Sequence, residues 1–126
     1  MPRRTHFAGA RPDLPFSEGV LIDDTLYLAG QIGLDERGRV PDDPDDEARR
    51  VLDAIKGALA KAEMTMDDLV YVQIFCSDLS HYARFNAVYR TYFTELPARA
   101  FLGSGKLLFD ARFEVQGIAV RRGARR

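Results

Sequence analysis

The sequence predicts a mixed α+β fold, a β-sheet with two helices packed on one face. Three observations predict it: two stretches whose apolar residues recur at helical spacing, several short β-branched or aromatic runs bounded by turn residues, and an order of β-β-α-β-α-β-β. The 126 residues, 46% hydrophobic and 29% charged, suit one domain over 1–126 that buries its own core without disulfides or metal. Residues 1–13 and 121–126 read as short extensions, the second of them basic.

Val20-Leu21-Ile22 and the stretch from Thr25 to Gln31 flank Asp23-Asp24, a pair suited to a tight turn, so they read as a hairpin. Asp43 followed by Pro44 supplies an N-cap and a proline at the first helical position. In the helix that starts there, Ala48, Val51, Leu52, Ile55, Leu59 and Ala62 form an apolar stripe, and the outer face is charged. Leu69 to Cys76 lies between Asp67-Asp68 and Ser77-Asp78 and reads as a central, largely buried strand. Ser80 is the expected cap of a second helix whose buried face carries Tyr82, Phe85, Tyr89, Tyr92 and Phe93, with Pro97 closing the segment. Ala98 to Leu102 and Arg112 to Arg121 complete the strands, separated by Gly103-Ser104-Gly105. Two helices cover only one side of such a sheet, and symmetric self-association is the usual way to bury the other. A homo-oligomer is therefore expected.

Charge and composition narrow the partners. Lys and Arg number 18 against 19 Asp and Glu, a net charge of -1, so no global field draws the chain to nucleic acid or an anionic membrane. The single cysteine, Cys76, has no internal partner, no apolar run approaches the ~20 residues that span a bilayer, and a cytoplasmic location is expected. His6 and His81 share no ligand spacing, so no metal site is expected. Pro2 raises the idea of an N-terminal proline base, which ranks last because Arg3-Arg4-Thr5-His6 does not read as a buried first strand.

The candidate chemistry centres on Arg99, a charge between Ala98 and Ala100 with no acidic residue within three positions. Its guanidinium fork suits a carboxylate, held through two parallel hydrogen bonds; the plain alternative is an edge-strand arginine in solvent. Glu114 alternates with Phe113 and Val115, so it shares a strand face with Gln116, Ile118 and Val120, where a half-buried carboxylate can act as a general base toward water. In Ala29-Gly30-Gln31-Ile32-Gly33, the glycines permit close approach of a ligand to the backbone or merely end a strand. Asn86, neighbouring Tyr82 and Tyr89 on the second helix, is a candidate to order a ligand, whereas the helix aromatics read as core.

The order of these features resembles the reactive intermediate deaminase family, known as RidA or YjgF/L-PSP. The resemblance runs from about Leu14 to Val120 through Pro15-Phe16-Ser17, Ala29-Gly30-Gln31-Ile32, Asn86 with Tyr89, Pro97-Ala98-Arg99, and Glu114-Val115-Gln116-Gly117-Ile118-Ala119. It implies a chorismate-mutase-like fold, a homotrimer with ligand clefts between subunits, and no cofactor. It further implies that Arg99 clamps a substrate carboxylate beside Glu114, which activates water, while Phe16, Ala29, Gly30, Asn86 and Phe101 line the cleft. The implied activity is hydrolysis of 2-imino or 2-enamino acids to 2-oxo acids and ammonia. The alternatives are a metabolite-binding member without turnover, or an RNA-acting one using the basic Arg121–Arg126 segment, whose phosphate contact would be weak and salt-sensitive. Phe16, Ala29 and Phe101 stand where the family often has Tyr, Ser and Cys, so the expected pocket is more apolar than usual.

Overall fold

The structure, a computed structural model, describes residues 2–11 and 13–123. The elements run β1 (Arg4–Phe7), β2 (Gly19–Ile22), β3 (Thr25–Ile32), α1 (Pro44–Lys61), β4 (Leu69–Cys76), α2 (Tyr82–Tyr89), β5 (Ala98–Gly103) and β6 (Phe113–Val120). They build one six-stranded sheet in the order β1-β2-β3-β6-β4-β5. Every neighbouring pair is antiparallel except β4 with β5. The last strand, β6, thus threads between β3 and β4, in the manner of a split βαβ unit, and places Glu114 mid-sheet.

β1 is the element the sequence did not announce. Its Arg4, Thr5 and His6 are exposed, so it carries no alternating apolar face, yet Arg4 to Phe7 pair with Ile22 to Gly19. A short polar strand is a common way to finish a sheet edge, and it leaves little hydrophobic signal. The hairpin turn forms as expected, with Asp23 in the left-handed region at φ 51 that aspartate tolerates.

α1 begins as its sequence predicts. The Asp43 carboxylate accepts a hydrogen bond from the Asp45 N–H at 3.2 Å, Pro44 takes the first helical position, and Asp45 and Asp46 meet the positive end of the helix dipole. The stripe of Val51, Leu52, Ile55 and Leu59 is buried against Leu26, Leu28, Val115 and Ala119 of the sheet. Each such side chain contributes roughly 1.5–3 kcal/mol on leaving water.

One charge lies inside this layer. Glu47 is fully buried, accepting from the Arg112 N–H and guanidinium, each at 2.7 Å, and so ties α1 to the start of β6.

α2 is shorter than expected. Asp78 rather than Ser80 supplies the cap, accepting from the Ser80 N–H at 3.0 Å to open a 3-10 turn over Leu79–His81. The α-helix ends at Tyr89 and a second 3-10 turn carries Arg90–Tyr92, so Tyr92 and Phe93 fall beyond it. Only Phe85 and Tyr89 are buried on it; Tyr82 is 47% exposed.

The opposite face of the sheet is open in the single chain, presenting Tyr27 and Val120 exposed and Tyr71, Phe75 and Ile118 half-buried, with Gln116 bonded to Gln73 at 2.7 Å. Part of the basic C-terminal segment is fixed. Arg121 bonds the Ala62 carbonyl and Asp24, and Arg122 bonds the Asp67 carbonyl and Glu95; residues 124–126 lie outside the described residues. Among the described residues no helix is long and apolar enough to cross a membrane.

Candidate functional site

β5 is an edge strand, and its register fixes where Arg99 points. Arg99 pairs with Val72 and Phe101 with Ile74, both buried beneath the helices, so Arg99 and Phe101 face the helix side while Ala98, Ala100 and Leu102 face the open side. The Arg99 guanidinium lies 4.8 Å from the ring centre of Tyr89, 5.2 Å from that of Phe101 and 5.8 Å from that of Tyr82. It lines a pocket of about 210 Å³ with Tyr82, Asn86, Tyr89, Arg90, Leu96 and Pro97. Among the described residues no carboxylate lines this pocket, so two guanidinium groups share it without an internal counter-charge. Asn86 Oδ1 and the Tyr89 hydroxyl are buried there without a hydrogen-bond partner. Burial pushes the Tyr89 hydroxyl up to about 12, against the opposing pull of the Arg99 charge, so it is neutral at ordinary pH.

Glu114 occupies the other side of the sheet. Its neighbours Phe113 and Val115 are buried under the helices, and it pairs with Phe75 of β4 and Ile32 of β3, so its half-buried carboxylate rests on the open face. That carboxylate sits against Gly30. A Cβ at Gly30 would overlap Glu114 Oε2 and lie 3.0 Å from Cδ and 3.2 Å from Cγ, so only glycine leaves room for the side chain in this position. The β3 ladder shifts register between Leu28 and Gln31, where Gln31 bonds Glu18 at 3.2 Å and Gly30 passes beside Glu114. Phe16 is 59% exposed in the loop leading to β2, a loop anchored where the Glu18 carbonyl accepts from the Ala29 N–H at 2.9 Å.

The candidates therefore form two groups. Arg99, Asn86 and Phe101 gather with Tyr82 and Tyr89 at one edge of the sheet. Glu114 and Gly30 lie together on the opposite face, with β4 separating β5 from β6, and Ala29 precedes Gly30 in the β3 register shift. The resemblance implied that Glu114 stands beside Arg99; within one chain it does not. Phe101, expected to line an apolar cleft, has its ring edge-on to Tyr82 at 4.9 Å and Phe85 at 5.6 Å, against the chain's own core. Tyr89 is in the core, as its spacing predicts, and also walls the Arg99 pocket; Tyr82, read from its spacing as core, is exposed and forms another wall. The signal that could have found them is their placement four before and three after Asn86 on one helix.

Other features offer less chemistry. A larger groove of about 690 Å³ runs between α1 and α2 past Arg49, Asp53, Lys56, Asp67 and Tyr92, and contains none of these candidates. Among the described residues no three His, Cys, Asp or Glu side chains gather as a metal site would require.

Comparison with known proteins matches this architecture to a family. The family model described as Endoribonuclease L-PSP matches residues 8–121. The 2-iminobutanoate/2-iminopropanoate deaminase of Escherichia coli (strain K12) is 34% identical over 113 residues, which span 86% of this chain and 88% of that protein. The crystal structure of yeast Mmf1 superposes with a TM-score of 0.87 at 28% identity, covering 95% of this chain and 100% of that one. Escherichia coli TdcF, crystallised with bound serine, superposes with a TM-score of 0.83 at 29% identity, over 92% of this chain and 94% of that one. The chain belongs to the endoribonuclease L-PSP family, also called the RidA or YjgF family.

Proposed function

We propose that this chain is a hydrolase of 2-imino and 2-enamino acids, and that each active site is completed by two copies, assembled as a homotrimer. Arg99 of one copy supplies the carboxylate clamp, and Glu114, Gly30, Ala29 and Phe16 of its neighbour supply the water-directing wall. The observation that carries this reading is the division of the candidates between opposite faces of one sheet, one of them open. An arginine without a counter-charge in its pocket and a half-buried carboxylate on an uncovered face make a complete site only when a second copy brings them together.

In the assembled site the Arg99 fork holds the substrate carboxylate through two parallel hydrogen bonds. This fixes the neighbouring C=N carbon and withdraws electron density from it. Glu114 accepts a proton from a water molecule as that water adds to the carbon of the protonated imine, giving a neutral carbinolamine. The proton is then passed to the amino nitrogen, and the C–N bond breaks as Glu114 takes the hydroxyl proton, leaving a 2-oxo acid and ammonia. Proximity and electrostatics suffice for a reaction that already proceeds in water, so the mechanism uses no cofactor.

The names of the relatives support the same chemistry. The Escherichia coli relative is named for two small imino acids, and the TdcF crystal contained serine, which bears the carboxylate and the adjacent nitrogen this site would read. Phe16 and Ala29 leave the neighbour's wall poor in hydrogen-bonding side chains, which favours imines with apolar side chains over the smallest. An RNA-acting role is disfavoured because Arg121 and Arg122 are held by Asp24, Glu95 and backbone carbonyls.

The test generates imines in situ with an amino-acid oxidase, from alanine and from bulkier apolar amino acids, and follows 2-oxo acid formation above the spontaneous rate. Arg99→Ala abolishes binding and hydrolysis; Glu114→Gln retains carboxylate binding and loses most turnover. Binding without hydrolysis by the intact protein would instead establish a metabolite-binding role. Equal or better turnover of the alanine-derived imine overturns the apolar preference.

A further inference from the structure

The Arg99 guanidinium is surrounded in a way that core packing does not require. Three aromatic rings stand within 5.8 Å of it, contributed by two elements: Tyr82 and Tyr89 from α2, and Phe101 from β5. Tyr82 in particular is 47% exposed, so its ring is not placed there by burial alone. It stands edge-on to Phe101 at 4.9 Å, which fixes the two rings relative to each other. Guanidinium is planar, weakly hydrated and attracted to ring faces, and its five N–H donors radiate in its own plane. Aromatic contact therefore holds the ion while leaving its hydrogen-bonding edges available. Two buried acceptors without partners, Asn86 Oδ1 and the Tyr89 hydroxyl, line the same pocket.

We infer that Tyr82, Tyr89 and Phe101 form an aromatic cradle that positions Arg99 for carboxylate binding. These are positioning residues, acting through Arg99. The inference rests on the reading of Arg99 as a carboxylate clamp. It also gives Phe101 a role beyond making the pocket apolar: its ring is one wall of the cradle. A cradle of this kind is specific for guanidinium. An ammonium group in its place keeps the charge but presents neither a planar fork nor in-plane donors.

The experiment measures the Kd for pyruvate, a 2-oxo acid with no imine to hydrolyse, alongside KM and kcat for imine hydrolysis, using the full-length assembled protein. Tyr82→Leu removes one wall at a solvent-exposed position and raises both Kd and KM about two- to fivefold, with kcat within about twofold, as expected for one partly exposed cation–π contact. Tyr82→Phe, which keeps the ring, restores the wild-type Kd. Arg99→Lys weakens pyruvate binding more than about tenfold although the charge remains. Wild-type Kd and KM in Tyr82→Leu, or a change confined to kcat, overturns the cradle; so does failure of the intact protein to bind pyruvate. Ring-dependent pyruvate binding without hydrolysis upholds the cradle and refutes the proposed hydrolase. Hydrolysis that survives with no dependence on the Tyr82 ring does the reverse.

Discussion

Gly30→Ala adds a single methyl group at the point where β3 passes Glu114. That methyl would overlap Oε2 and stand 3.0 Å from Cδ and 3.2 Å from Cγ of the glutamate, closer than ordinary contact at all three atoms. The Glu114 backbone cannot yield, because it is paired on both sides with Ile32 and Phe75 in the centre of the sheet. The side chain must therefore swing off Gly30, by an amount on the order of 1 Å, and a misplacement of that size in a catalytic group costs about a hundredfold in rate. The stability cost is smaller: about 1–3 kcal/mol for overpacking, less if the side chain relaxes into the open face. The assay pairs steady-state imine hydrolysis with thermal unfolding and pyruvate binding. Turnover falls about a hundredfold, the protein remains folded, and carboxylate affinity, which depends on Arg99, changes little. Turnover within twofold of wild type would show that the carboxylate position set by Gly30 does not matter to the chemistry.

Two further outcomes concern the stability of the fold. Glu47→Ala removes the acceptor for the Arg112 N–H and the Phe113 N–H, leaving two amides facing an apolar layer, and takes the counter-charge from the Arg112 guanidinium, which keeps the Pro41 and Asp42 carbonyls. The expected loss is about 3–5 kcal/mol, read by calorimetry as a fall in Tm of roughly 10–20 °C; a loss under about 1 kcal/mol would mean that water replaces the carboxylate at no cost. Burial raises the Tyr89 hydroxyl to about 12, whereas the unfolded chain releases that proton near the ordinary tyrosine value of about 10. The folded state then binds the proton more tightly, so stability is intact below pH ~10 and declines as pH rises toward ~12, by about 3 kcal/mol in all. Tyr92, raised by burial and by Asp53, adds to the same decline. Urea unfolding between pH 9 and 11.5 shows a shallower slope for Tyr89→Phe than for wild type; parallel slopes would remove Tyr89 from the account.

Much of the fold was legible because its signals are local. The Asp23-Asp24 turn, the Asp43-Pro44 helix start, the α1 stripe and the Leu69–Cys76 strand each follow from residues a few positions apart. The alternation of Phe113, Glu114 and Val115 placed Glu114 on the strand face it shares with Gln116, Ile118 and Val120, where the structure has it. What was hidden depends on pairing between distant segments. β1 has no apolar face to announce it, and the insertion of β6 between β3 and β4 is written in no local pattern. Glu47 sits among Asp45 and Asp46, where its neighbours suggest a solvated helix start, and only the approach of Arg112 explains its burial. The two faces of the site were hidden for the same reason. Period-two alternation says that Arg99 shares a face with Phe101, but which face that is requires the register of β5 on β4.

The central claim, that Arg99 and Glu114 serve one reaction from two different chains, is tested most directly by mixing inactive subunits. Arg99→Ala and Glu114→Gln proteins are co-refolded in equal amounts and imine hydrolysis is compared with each variant alone. If every site takes its arginine from one copy and its glutamate from the next around a closed ring, random mixing gives about a quarter of the sites both groups, and activity returns to about a quarter of wild type. If both residues act from the same chain, no mixed assembly contains an intact site, and the mixture stays as inactive as its components.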